Sequence, residues 1–198
     1  MVMIEVIKMN ELAYAYEPGY EIIGGEKIMS PSGTIEHNTA IGNLYYIFRN
    51  YFKEHKNGRV FTDSLDVRFE NGELYMPDLK VVRDYSILYR YDVIHGVPDL
   101  VVEVLSPSTA KYDRGKKKDT YERNGVKEYW IIDYFSKSIE VYHLIDGKYT
   151  LDDVYHVYTE KELSLLTDKE RAEVKYEIKV SIFDDLIVDI NDVFEWID

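Results

Sequence analysis

The sequence predicts a mixed α/β (α+β) fold in one domain spanning residues 1–198. Three observations predict it. Leu100 to Leu105 is an apolar run of strand length, and a strand with apolar residues on both faces belongs inside a sheet. His37 to Glu54 carries Ile41, Leu44, Phe48 and Tyr51 at helical spacing, the pattern of a helix with one buried face. Around these lie short β-prone runs separated by Gly-Gly, Asn-Gly and Pro-Asp, which interrupt strands at turns. Strands around one long and one medium helix build layers over a shared core. No internal repeat, low-complexity segment or long linker divides the chain.

In chain order, Met9 to Tyr16 reads as a short helix capped by Asn10 and ended by Pro18-Gly19. Tyr20 to Ile23 and Lys27 to Met29 read as strands joined by Gly24-Gly25. His37 sits one turn before Ile41 on the apolar face of the long helix, which Asn57-Gly58 stops. Arg59 to Ser64 is a strand, and Leu65 to Phe69 with Glu73 to Met76 form a hairpin about Asn71-Gly72. Leu79 to Val82 is a short strand introduced by Pro77-Asp78. Tyr85 to His95 is tyrosine-rich, lacks a clean period and reads as a loop. Tyr112 to Arg123 is the medium helix, stopped by Asn124-Gly125. Glu128 to Asp133, Ser138 to Leu144 and Lys148 to Tyr158 are strands, the last continuing an antiparallel sheet. Val180 to Ile182 is a final short strand, and Phe183 to Asp198 an acidic, partly apolar tail.

Composition narrows the function. Cysteine is absent, which excludes disulfides, Cys-ligated zinc, iron–sulfur clusters and thiol nucleophiles. No apolar run reaches membrane-spanning length, and the opening MVMIEVIKM is too short and too charged for a secretory core. The expectation is a soluble cytoplasmic protein without a membrane partner. A net charge of −13 runs against a nucleic-acid partner, because phosphate binding needs cations. The charge is uneven, however. Residues 151–198 hold 14 acidic and 5 basic side chains, and the first 150 hold 23 and 19. Lys111 to Lys118 (KYDRGKKK) has five basic residues against one acid, the densest positive stretch, and leaves a nucleic-acid contact open.

One residue breaks the central run. Glu103, among Val101, Val102, Val104 and Leu105, is costly to bury unless something binds it. Asp78 stands 25 positions earlier, at the mouth of another strand. Asp113, Lys117 and Tyr121 are spaced by four on the following helix, one face that can point back at Glu103. Two carboxylates on neighbouring strands repel and favour a cation, and oxygen ligands without His or Cys suit Mg²⁺ or Mn²⁺. Such an ion can polarise a phosphodiester and lower the pKa of a bound water, which a nearby ammonium can orient. The residues also allow a structural reading, with Glu103 in a buried ion pair to Lys117 or Arg114 and Asp78 serving a turn. Asp99, after Pro98, reads as a strand start. Lys80, two places beyond Asp78 on the same strand face, ranks behind Lys117. Lys116 and Lys118 read as solvated or phosphate-contacting, and Trp130 as core.

Pro77-Asp78, PDLVVEVLSPST from Pro98 to Thr109, DRGKK from Asp113 to Lys117 with Tyr121, and GVKEYWIID from Gly125 to Asp133 together resemble the Uma-two family of restriction endonucleases, a branch of the PD-(D/E)XK nuclease superfamily. Tyr20 to Gly24, Ser30-Pro31 and His37 extend the resemblance, which covers roughly residues 10–150. It implies a restriction-endonuclease-like mixed β-sheet flanked by helices, with an extra antiparallel β part. It also implies a Mg²⁺- or Mn²⁺-dependent endonuclease acting on DNA phosphodiesters, with Asp78, Glu103 and the Val104 backbone carbonyl on the metal. The superfamily's usual Lys, two residues after the Glu, is Leu105 here. The family's Asp-x-x-x-Lys-x-x-x-Tyr pattern assigns that role to Lys117, with His37, Glu36, Asp113 and Tyr121 as accessory positions. A double-strand cut needs two active sites, so a homodimer is expected. Two other readings stay open: a catalytically inactive binding or assembly module of the same fold, and a metal-dependent hydrolase of a small phosphorylated substrate.

Overall fold

A computed structural model describes residues 20–23, 26–29, 33–63, 65–88, 93–107 and 109–197. The helix expected at residues 9–16 lies outside these, as do Gly24-Gly25, Ser30-Pro31 and Ser108. Strands β1 (Tyr20–Ile23) and β2 (Glu26–Met29) form the expected antiparallel pair. Helix α1 (Ile35–His55) follows, capped by Thr34, whose hydroxyl accepts from the His37 amide. Its end is set not by Asn57-Gly58 but by Lys56, which takes the left-handed conformation at φ 54°. Gly58 serves packing instead, since a Cβ there would lie 2.6 Å from the Phe52 ring.

Strands β3 (Arg59–Thr62), β4 (Asp66–Arg68), β5 (Leu74–Tyr75) and β6 (Leu79–Val82) come next. The segment read as a loop holds one helical turn, Tyr85–Ile87, and a strand, β7 (Val93–His95). β7 pairs in parallel with β4, and its three residues carry too little local pattern to announce it. Strand β8 (Leu100–Val104) is buried throughout. Helix α2 runs through Ala110–Tyr112, a π-helical Asp113–Lys117 and Lys118–Asn124, and ends at Gly125 with φ 85°. Then come β9 (Glu128–Asp133), β10 (Ser138–Ile145) and β11 (Lys148–His156). Two short helices, α3 (Glu160–Leu165) and α4 (Asp168–Glu173), each open with a Thr/Glu capping box. Strands β12 (Glu177–Lys179) and β13 (Ile187–Asp189) and helix α5 (Ile190–Val193) close the chain.

The central sheet has the strand order β11-β10-β9-β8-β6-β3. β8 lies parallel to β9 and antiparallel to β6, so the sheet is mixed, as expected. A second sheet runs β2-β1-β5-β4-β7, and β12 pairs with β13 alone. Alternate residues of β8 enter different apolar clusters. Leu100, Val102 and Val104 pack with Leu44, Phe48 and Phe52 of α1, whereas Val101 packs with Tyr121 of α2 and Tyr75 of β5.

The C-terminal expectation fails in two ways. Residues 180–182 form no strand but belong to the turn between β12 and β13, where the Phe183 amide donates to the Val180 carbonyl. Residues 183–197 are not a tail either. Phe183, Leu186, Val188, Ile190, Val193, Phe194 and Ile197 are buried against α1, while Asp184, Asp185, Asp192 and Glu195 stay exposed. Each buried apolar side chain there gains about 1.5–3 kcal/mol, enough to hold an acidic segment against the core.

Candidate active site

The register of β6 against β8 positions the two leading carboxylates. Leu79 pairs with Val102, so the next residues outward, Asp78 and Glu103, stand opposite one another. Asp78 Oδ2 accepts a 2.7 Å hydrogen bond from the Val104 amide and lies 3.4 Å from His37 Nε2. These contacts hold the carboxylate by one oxygen. Oδ1 has no hydrogen-bond or ion-pair partner among the described residues, and the side chain is 18% exposed.

Glu103 is 2% exposed. Its Oε1 accepts from the Tyr121 hydroxyl at 2.6 Å, and its Oε2 lies 3.1 Å from Lys117 Nζ. Lys117 Nζ also lies 3.4 Å from Asp113 Oδ1. The spacing of four thus gathers Asp113, Lys117 and Tyr121 beside Glu103, with a π-helical turn through the first two. Such turns are rare and recur at functional sites. Lys117, not Arg114, is the partner of Glu103. Arg114 instead bonds Glu140 at 2.8 Å and approaches Asp133 at 3.9 Å.

Burial dominates the local electrostatics. It raises the Asp113 carboxyl above its usual range against the pull of Lys117, and among the described residues neither Asp113 oxygen has a well-formed hydrogen bond. Lys80 is fully buried, and burial lowers its pKa to about 8 against the charges of Asp78, Glu103, Asp63 and Asp66. Its Nζ donates to the Pro77 carbonyl at 2.9 Å. Burial also works to lower His37, but its bond to Asp78 and the charges of Asp78 and Asp63 prevail, and its pKa rises. His37 Nδ1 has no hydrogen-bond partner among the described residues.

The other sequence candidates separate. Glu36 stays in the first turn of α1, bonded to Thr34. Asp99 is a strand-start residue as expected, accepting from the Arg83 amide at 2.8 Å and from Lys127 at 2.7 Å. Leu105, the superfamily's Lys position, is 4% exposed inside the tyrosine-side core. Lys118 lies 3.7 Å from the centre of the Tyr142 ring. Trp130 is core and donates to Glu128. Sequence reasoning missed the tyrosine array beneath the site. Tyr75, Tyr121, Tyr129, Tyr142 and Tyr149 touch ring to ring, at centroid distances of 5.2–6.3 Å. The residues come from several separate elements, so no local spacing signals it.

A metal was the expected cofactor. Among the described residues, no group of three or more His, Cys, Asp or Glu side chains is arranged to hold one. The donors on hand are the Asp78 and Glu103 carboxylates and the Val104 carbonyl beside Glu103. Mg²⁺ retains several waters and needs only one or two carboxylates, so an oxygen-only set with Asp78 Oδ1 open fits it.

The Uma2 family model, described as "Putative restriction endonuclease", matches residues 9–171. The chain belongs to the Uma2 family. The span shared with other Uma2 proteins takes in Asp78, Glu103 and all of α2, and runs past position 150 through α3. A crystal structure titled as a putative nuclease belonging to DUF820, from Anabaena variabilis ATCC 29413, shares the fold with a TM-score of 0.67 and 20% identity, over 96% of this chain and 98% of that one. Uncharacterized protein slr1290 from Synechocystis sp. (strain ATCC 27184 / PCC 6803 / Kazusa) is 30% identical over 129 residues, 64% of this chain and 67% of that protein. No helix among the described residues is long and apolar enough to cross a membrane.

Proposed function

We propose that this Uma2 protein is a metal-dependent endonuclease hydrolysing DNA phosphodiester bonds. One observation carries the reading: Glu103, buried and bonded to Lys117 and Tyr121, stands opposite a second carboxylate, Asp78, whose Oδ1 is open. Asp78, Glu103 and the Val104 carbonyl would hold Mg²⁺ or Mn²⁺. Such an ion supplies Lewis acidity and a more acidic bound water. The chain's own groups do the rest. Tyr121 fixes the Glu103 rotamer, and the Val104 amide and His37 fix Asp78. Asp113 and Glu103 both hold Lys117 by its ammonium, which keeps that charge beside the cluster to orient water or to face charge developing on phosphorus. Lys80 is the other buried ammonium, but its Nζ is turned to Pro77, so Lys117 fits the role better. Double-strand cutting would bring two copies together as a homodimer.

The test is cleavage of supercoiled plasmid and single-stranded DNA with Mg²⁺ or Mn²⁺. Asp78→Ala, Glu103→Ala and Lys117→Ala should each abolish cutting that wild type performs. Cutting that survives all three substitutions overturns the reading. One observation favours a second reading, an inert module of the same fold: both Glu103 oxygens already have protein partners. That reading predicts no rise in melting temperature with Mg²⁺ or Mn²⁺ and no cleavage.

A further inference from the structure

A chain of net charge −13 repels phosphate at long range, so a nucleic-acid substrate needs a local cationic seat. The stretch of residues 111–118 is the evident candidate by sequence, but its charges are largely engaged. Arg114 is held by Glu140 and Asp133, Lys117 by Glu103 and Asp113, and Lys118 by the Tyr142 ring.

A different region has the opposite character. Between the second half of α1 and strand β3 lies a cleft of about 450 Å³. Arg49, Lys56 and Arg59 line it together with Tyr45, Phe61 and Tyr85, and among the described residues no acidic side chain does. None of the three cations forms an ion pair among the described residues, and Arg59 lies over the Tyr85 ring at 4.4 Å. Elsewhere Arg123, Lys127, Lys148 and Lys175 are all paired with acids. Concentrating unpaired cations beside aromatic faces, on a protein this acidic, fits an anionic and aromatic ligand.

The cleft also lies in the right place. β3 is the outer strand of the central sheet and pairs with β6, Phe61 against Lys80 and Thr62 against Leu79. It therefore runs beside the strand that begins next to Asp78. A smaller cavity of about 230 Å³ shares Tyr45, Val60 and Phe61 with it and reaches Thr62 and Asp63. Asp63 directly follows Thr62, whose partner Leu79 directly follows Asp78, so that end adjoins the carboxylate pair. Arg59 to Asp63 spans about 13 Å at the rise of a strand.

We propose that this cleft seats a single strand of nucleic acid, with Arg49, Lys56 and Arg59 on phosphates and the Tyr45, Phe61 and Tyr85 rings against an unstacked base, and leads it to Asp78 and Glu103. The inference rests on the nuclease reading for its direction but not for the binding itself. Stacking on protein rings requires bases that are not already stacked in a duplex, which selects a single strand.

The experiment is fluorescence anisotropy of a labelled single-stranded oligonucleotide and of a duplex of equal length, in EDTA, with the full chain. Wild type should bind the single strand more tightly than the duplex. The double variant Arg49→Glu/Arg59→Glu should weaken binding at least tenfold. It should also reduce the slope of log K against log salt by about 1.4, because each phosphate left without its arginine takes about 0.7 from the slope. Tyr85→Ala should weaken binding with the salt slope unchanged. A charge-matched control, Lys161→Glu/Lys169→Glu on α3 and α4, should bind as wild type, and unchanged melting temperatures certify the fold. No wild-type binding, equal affinity of the Arg49/Arg59 variant, or tighter duplex binding overturns the proposal. The two readings fail separately. Cleft-dependent binding without any metal-dependent cutting keeps the cleft and removes the nuclease. Cutting abolished in Asp78→Ala but unchanged in the Arg49/Arg59 variant keeps the nuclease and removes the cleft.

Discussion

Glu103 on β8 and Glu128 on β9 are both buried, at 2% and 0% exposure, yet their closest partners differ in kind. Glu128 takes its hydrogen bonds from neutral donors, and the His143 imidazole stands farther off, Nε2 3.8 Å from Oε1. Trp130 Nε1 reaches Oε1 at 2.7 Å, and the Ser181 amide and hydroxyl both reach Oε2. Glu103 is served by an ammonium and a phenol and faces a second carboxylate across the strand pair. A buried carboxylate whose hydrogen bonds all come from neutral donors ties a distant segment to the sheet, in this case the turn at Ser181. One that shares its surroundings with a like charge and a buried cation is poised to exchange partners. Burial alone does not mark a site; the partners do.

The comparison breaks if the two residues behave alike. The largest expected difference is in catalysis. Glu103→Gln should lower metal-dependent cleavage by about 10²-fold or more, whereas Glu128→Gln should leave the rate per folded molecule unchanged. Cleavage rates of the two variants, each divided by its folded fraction, decide it.

Stability should invert that order. Glu128→Ala orphans the buried Trp130 indole N–H and releases the Ser181 turn, and should cost about 1–3 kcal/mol in urea unfolding. Glu103→Ala costs the Tyr121 hydroxyl its bond, but it leaves Lys117 with Asp113 and removes a buried charge that faces Asp78, and should cost about 1 kcal/mol or less without metal. A larger loss at Glu103 than at Glu128 would make Glu103 the structural residue.

Lys80 sharpens the contrast, because the strand beside Glu103 buries an ammonium whose bond goes to a main-chain carbonyl. Its folded pKa of about 8 lies below the ordinary 10.5. The unfolded chain therefore binds more protons between those values, and wild-type stability should gain from this group as pH rises from about 8 to 10.5, by about 3 kcal/mol at most. Lys80→Met should flatten that rise in unfolding curves taken across the window. His37 gives the smallest effect. Its folded pKa is raised, so its pairing with Asp78 stabilises the protein below the ordinary value of 6.5 and fades as pH climbs through the folded value. The gap between wild type and His37→Gln, about 1 kcal/mol or less at pH 5.5, should close at pH 9.

Much of the candidate site could be read from the chain itself. A lone acid in a run of β-branched residues, a Pro-Asp before a second strand and three polar residues spaced by four are all local patterns, and they converge on Glu103, Asp78 and Lys117. Other features depend on contacts between remote residues. Glu128 meets Ser181 across 53 positions, and β7 finds β4 by tertiary pairing. The α1–β3 cleft forms from Arg49, Arg59 and Tyr85, which share no spacing until the chain folds. Some misses were legible. Thr159 with Glu162 and Thr167 with Glu170 carry the capping-box signature, and the apolar residues after Phe183 recur too regularly for a tail.

The π-helical turn in α2 has a further consequence. Relative to an α-helix it accommodates an extra residue, and so sets the rotational phase between the two halves of the helix. Gly115 lies inside it, and a Cβ there would meet nothing within 4 Å. Removing that residue would let the turn relax to α-helix with the two halves in nearly the same phase, because the π-turn is what absorbs the extra residue. Removing Asp119 from the α-helical half, where no such slack exists, would instead turn Tyr121 by about 100° away from Glu103 while Asp113 and Lys117 stayed behind. The bulge thus works as a spare tooth: the helix tolerates the loss of a residue inside it and slips only where it has none to spare.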